Sequence, residues 1–176
     1  IVKARIYDSD FDRAKKFAKE LAGQGRIPQD LTAATTAQEA VMDADIICTA
    51  TTSTIPVFSD SDIKPGVHIS AIGSYTPEMQ EVPARTIKRA KVVVDSRSAV
   101  LAESGDLIQP IQSGMITESH VFAELGEIIL GKKPGRESSE EVTFFKSVGV
   151  AVQDAMAAQL AMKNSLQNNL GTEIPF

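Results

Sequence analysis

The chain has 176 residues, a net charge of −5 and 43% hydrophobic residues, enough to bury a core of domain size. Charges of both signs are interspersed, so no basic stripe points to nucleic acid or an anionic membrane, and no apolar run reaches the roughly 18 residues of a membrane-spanning helix. The single cysteine, Cys48, excludes an internal disulfide framework and fits a reducing cytoplasm.

Val2, Ala4 and Ile6 alternate with Lys3 and Arg5, which predicts a strand running into Asp8. Ile1 already falls inside that pattern, so we expect sequence upstream of it. Asp10 is a candidate N-cap, Phe11, Ala14, Phe17, Ala18 and Leu21 recur at helical spacing, and Gly23 stands where a helix stops. Leu31 to Ala34 is a short strand, and Thr36-Ala-Gln-Glu39 is a capping box opening a helix toward Met42. Asp45 to Thr49 is a buried strand that ends in the hydroxyls Thr51 to Thr54. Ser59 to Asp62 reads as a helical turn, Lys64-Pro65-Gly66 as a turn, and Val67 to Ile72 as the next strand. Pro77 and Pro83 bracket an irregular segment; a helix over Ala84–Ala90 and a strand over Lys91–Asp95 follow. Ser98 to Glu103 is a helical turn ended by Gly105, and Ile108 to Ile116 reads as ambiguous or loop. Ser119 to Leu130 reads as an amphipathic helix closed by Gly131, Lys132 to Glu141 as a solvated charged loop, and Val142 to Lys146 as a strand. A long alanine-rich helix spans Gly149 to Gln167, too apolar all round for a surface helix.

Strands alternating with helices predict an α/β fold with a doubly wound, Rossmann-like parallel sheet. In the usual order 3-2-1-4-5-6 the first strand lies between the second and the fourth. If the Val2 strand is the second and the Asp45 strand the fourth, the first strand is lacking here, and we expect it upstream with its glycine turn. Ligands of such sheets sit at the carboxyl ends of the strands, which places a dinucleotide across the ends of the Asp45 and Val67 strands.

Asp8 ends the first strand, where an acidic residue bonds a ribose 2′-hydroxyl and favours NAD over NADP; the alternative is that Asp8 or Asp10 caps the next helix. Thr49, Thr51, Thr52 and Ser53 offer hydroxyls to a cofactor or satisfy their own turn. Gly73 lets a ligand approach the backbone or is a turn glycine. Ser147 sits before the long helix, as an anion site or an ordinary N-cap. His68 and His120 are too scattered for a metal site, and Cys48 reads as a packed small hydrophobe.

Six stretches carry a resemblance: Ala44–Thr51, Gly66–Gly73, Val93–Ser96, Glu103–Asp106, Phe122–Ile129 and Phe145–Asp154. In this order and spacing the chain resembles the ornithine cyclodeaminase/mu-crystallin family. The resemblance implies a dinucleotide-binding domain over residues 1–146, incomplete at its start, and a segment 147–176 that returns to a substrate and dimerisation domain. It implies cofactor contacts at Asp8, Thr51, Ile72, Gly73 and Ser147, with Val148 near the substrate, and a homodimer. Where cyclodeaminases carry a catalytic aspartate, two residues after the glycine, this chain has Tyr75, and a lysine contact four residues on is replaced by Met79. A tyrosine donates a proton but is a poor base at neutral pH. The expected activity is therefore NAD(P)-dependent reduction of a small amino or cyclic imino acid, such as pyrroline-2-carboxylate, with Tyr75 as the catalytic residue. The alternatives are cyclodeamination of ornithine and a non-enzymatic small-molecule-binding role.

Overall fold

The computed structural model describes residues 1–172 and Ile174. Its parallel strands form two sheets. The smaller pairs β1 (Lys3–Ile6) with β2 (Asp30–Ala33), joined by α1 (Phe11–Leu21). The Asp10 side chain caps α1 by accepting from the Arg13 N–H at 3.1 Å, and Ala14 and Ala18 are its buried residues. A short α2 (Ala37–Val41) follows, capped by Thr36, whose side chain accepts from the Glu39 N–H. The Glu39 carboxylate returns to the Thr35 N–H at 2.7 Å.

The larger sheet has five strands in the order β3 (Ile46–Thr49), β4 (His68–Ala71), β7 (Thr143–Lys146), β5 (Lys91–Val94) and β6 (Val121–Glu124), every pair parallel. Ile47, Ile69, Phe144 and Val92 stand side by side in one row of this sheet. They bury one face against α3 (Ala84–Arg89), α4 (Arg97–Glu103) and α5 (Gly105–Gln112), whose Ile87, Val100 and Leu107 are wholly buried. The other face is covered at β5 and β6 by α6 (Leu125–Ile129) and the loop after it, and is open at β3, where Ile46 is 56% exposed. The long α7 (Ala151–Asn168) buries none of its residues.

Five local expectations are corrected. The ambiguous Ile108–Ile116 stretch contains most of α5, with Pro110 inside it. Gly105 does not end the preceding helix but opens α5: Ser104 caps one helix and starts the next, and a Cβ on Gly105 would strike the Met79 and Pro77 carbonyls. The expected helix over Ser119–Leu130 is a 3-10 turn (Glu118–His120), the strand β6 and only five residues of α6. Val121 and Ala123 alternate with Phe122 and Glu124 on the strand's two faces, a period of two that the apolar spacing from Val121 to Leu125 and Ile128 conceals. Cys48 is exposed rather than packed. The 132–141 loop is also more than a solvated run. In it Arg136 donates to the Gly66 and Glu141 carbonyls, and Lys91 meets Glu137 and Glu141 at 2.6 and 3.0 Å.

Glu173, Pro175 and Phe176, at the end of the 147–176 segment, lie outside the described residues. Among the described residues no helix is long and apolar enough to cross a membrane, and no cluster of three or more His, Cys, Asp or Glu is placed to hold a metal.

Candidate functional site

Because the strands are parallel and in register, Thr49, Ala71, Lys146 and Val94 end in one row. Three turns leave that row together. The Ile72 N–H bonds the Thr49 carbonyl at 3.0 Å, the Ser147 N–H bonds the Ala71 carbonyl at 3.2 Å, and the Asp95 N–H bonds the Lys146 carbonyl at 3.1 Å. The structure thus brings Thr49, Thr51, Ile72, Gly73, Ser147 and Val148 to one rim. Asp8 lies at the end of β1, in the other sheet.

The individual side chains differ in what they offer. Thr51 is exposed, and its hydroxyl accepts from the Ser53 N–H at 3.2 Å. Ile72 is 53% exposed beside it, an apolar platform next to hydroxyls. Such a rim fits a ligand made of a flat ring and a sugar. Thr49 is different: it is buried, and its hydroxyl donates to Glu81 at 2.9 Å. Gly73 is also buried in the protein's own backbone, since a Cβ there would collide with Thr51 and the Glu81 carboxylate. Its lack of a side chain is required by the neighbouring turn.

Ser147 is not the N-cap of α7. That position is Val150, with no side-chain cap. Instead the Ser147 hydroxyl and the Val148 and Gly149 N–H groups all donate to one Asp95 oxygen, at 2.7, 3.1 and 2.9 Å. Asp95 therefore shapes the turn that carries Ser147 and Val148. Asp8 accepts from the Asp10 N–H at 2.8 Å and faces Arg13 at 3.5 Å. Tyr75, half-exposed, projects from the turn after Gly73, next to the wholly buried Ser74.

Beneath the rim lies a charged cluster that sequence reasoning missed. Lys146, Asp106 and Glu81 are all wholly buried. Asp106 accepts from the Glu81 and Val82 N–H groups at 2.7 and 3.0 Å, and its other oxygen faces Lys146 Nζ at 3.6 Å. Burial pushes the Asp106 carboxyl above the usual carboxylate range and the Lys146 ammonium below the usual lysine range, against their mutual attraction. One signal was present in the sequence: Lys146 shares strand parity with Phe144, so it had to enter the same buried face.

A separate cavity of about 460 Å³, lined by Ile46, His68, Lys91, Thr143 and Phe145 among others, opens at the opposite end of the strands. His68 bonds Thr143 there at 2.8 Å.

The profile of the ornithine cyclodeaminase/mu-crystallin family matches residues 1–169. Across 177 aligned positions, covering all of this chain and 54% of the relative, the sequence is 44% identical to a Delta(1)-pyrroline-2-carboxylate reductase of Bacillus cereus. The structure of the Thermococcus litoralis Delta(1)-pyrroline-2-carboxylate reductase, in complex with NADH and L-proline, matches 99% of the chain and 53% of its own length, with a TM-score of 0.92 and 41% identity. An archaeal alanine dehydrogenase dimer with bound NAD matches with a TM-score of 0.88 and 36% identity, covering 100% of this chain and 53% of that one. The chain spans about half the length of the curated relatives it matches.

Proposed function

The chain belongs to the ornithine cyclodeaminase/mu-crystallin family, and from that membership we propose that it forms the dinucleotide-binding part of an NAD(P)-dependent reductase of a small cyclic imino acid such as pyrroline-2-carboxylate. The observation that carries this reading is the rim itself: exposed Thr51 and Ile72, with Ser147, leave one end of a parallel sheet. The same fold in the Thermococcus litoralis enzyme holds NADH and L-proline, and proline is what reduction of pyrroline-2-carboxylate yields.

A bound nicotinamide would supply a hydride to the imine carbon. The chain's own residues do the rest. Thr51, Ile72, Gly73 and Ser147 hold the cofactor at the rim, with Thr49 acting from below. Asp8 takes the ribose 2′-hydroxyl and favours NAD, with NADP the lesser choice. Val148 lies against the substrate. Tyr75 donates the proton that the imine nitrogen gains as its carbon takes the hydride.

The dinucleotide domain runs over residues 1–146, and segment 147–176 belongs to a second, substrate and dimerisation unit. A homodimer fits the unburied α7 and the dimeric archaeal relative, and a cytoplasmic setting fits the single cysteine.

The test is to incubate the intact natural protein with NADH and pyrroline-2-carboxylate, and separately with ornithine and catalytic NAD. We expect NADH oxidation with proline formed, and no turnover of ornithine. Proline and ammonia from ornithine would overturn the reading in favour of cyclodeamination. Cofactor binding without turnover of any imine would leave a small-molecule carrier.

A further inference from the structure

We propose that Glu81 is the positioning residue of the cofactor rim, one carboxylate that sets the spacing between the Thr51 turn and the Gly73 turn. The inference rests on the dinucleotide reading above and adds a residue to it.

Glu81 is wholly buried and lies on no helix or strand. Its carboxylate takes three donors from two different strand ends. One oxygen accepts from the Thr51 N–H; the other accepts from the Thr49 hydroxyl at 2.9 Å and the Gly73 N–H at 2.8 Å. A carboxylate is acceptor-only, so all three bonds suit its ionised form, and charge-assisted bonds of this kind are the stronger ones.

The carboxylate is itself fixed from behind. The Glu81 N–H donates to Asp106 at 2.7 Å, and its carbonyl accepts from the Val57 N–H at 2.9 Å. The Gln80 N–H donates to the Ser53 carbonyl at 2.8 Å. The segment that carries Glu81 is thus laced to the 53–57 loop on one side and to α5 on the other. Asp106 is held in turn by the Ser74 hydroxyl, which accepts from the Asp106 N–H at 3.1 Å.

Thr51 and Gly73 are cofactor-contact positions in the reading above, and their N–H groups are turned to Glu81. Gly73 can approach because it lacks a Cβ that would strike that carboxylate and Thr51. No other side chain among the described residues bonds the two turns together. The Ile72–Thr49 backbone bond ties the two turns at their base, and beyond it the two oxygens of one carboxylate hold Thr51 and Gly73 at the spacing that a rigid ligand across them would meet.

Glu81→Gln tests this in the intact protein. An amide of the same shape presents one NH2 where a donor already stands, so one turn loses its tie. NADH titrations should show Kd raised about tenfold or more, with KM for pyrroline-2-carboxylate at saturating NADH within about twofold, since the change is confined to the cofactor side. A wild-type Kd in the folded variant, with only its melting temperature lowered, would mark Glu81 as purely structural and overturn the proposal. A wild-type protein that binds no NADH would overturn the dinucleotide reading itself. Should Glu81→Gln not fold, Thr49→Val removes one donor and keeps the volume; NADH Kd should then rise a few-fold, about threefold, and an unchanged Kd overturns the proposal.

Discussion

At the scale of single residues, what the side chains near the rim do depends on whether their polar atoms face outward or inward. Tyr75 is half-exposed, and the role proposed for it is proton donation. Tyr75→Phe keeps the ring and removes the proton, so kcat for imine reduction should fall about a hundredfold with NADH Kd unchanged; an unchanged kcat removes Tyr75 from the chemistry. Lys146 and Asp106 face inward. Asp106 is held above its ordinary range, chiefly by burial, so its contribution to stability is fully present below about pH 3.9 and is lost as pH rises through the raised folded value. Lys146 opposes that rise by its charge. In Lys146→Met the loss with rising pH therefore deepens. Urea midpoints should show a deficit of about 3 kcal/mol at pH ~7, shrinking toward pH ~4 as Asp106 takes up its proton. A deficit equal at both pH values would mean that the cost is packing rather than charge.

At the scale of elements, local signals were legible wherever one element had one cause. The Asp10 and Thr36 caps, the helix over Phe11–Leu21 and the strands ending at Thr49 and Lys146 stand where spacing and capping put them. Thr36→Ala should cost about 1 kcal/mol, read as a lower urea midpoint with an unchanged slope. Elements that depend on long-range contact were not legible. β6 takes its strand form from pairing with β5, and α5 carries Pro110 in its interior and opens at Gly105, packed under the Met79 and Pro77 carbonyls. Glu81 was equally hidden. It lies in a segment without periodicity, and its three donors come from residues 8 to 32 positions away. Thr49, Thr51, Gly73 and Ser147 were candidates from their hydroxyls and turn positions, whereas Ile72 and Val148 came from the family resemblance alone. What the strand pattern supplied was the end of the sheet on which they stand.

At the scale of the whole molecule, the sheet order places β3 at one edge of the five-stranded sheet and pairs β1 with β2 alone among the described residues. The described strands thus form two separate sheets rather than one. Hydrophobic cover is equally uneven: one face of the larger sheet is closed by α3, α4 and α5, the other is open toward β3. Cys48 stands on that open face, one residue before Thr49, and it is the chain's single thiol. The molecule thus carries a chemical reporter of its own. The rate at which a thiol-reactive dye labels Cys48 in the intact protein measures how far that face is shielded. Repeating the measurement with NADH present tells whether occupying the rim changes the shielding, with no residue altered.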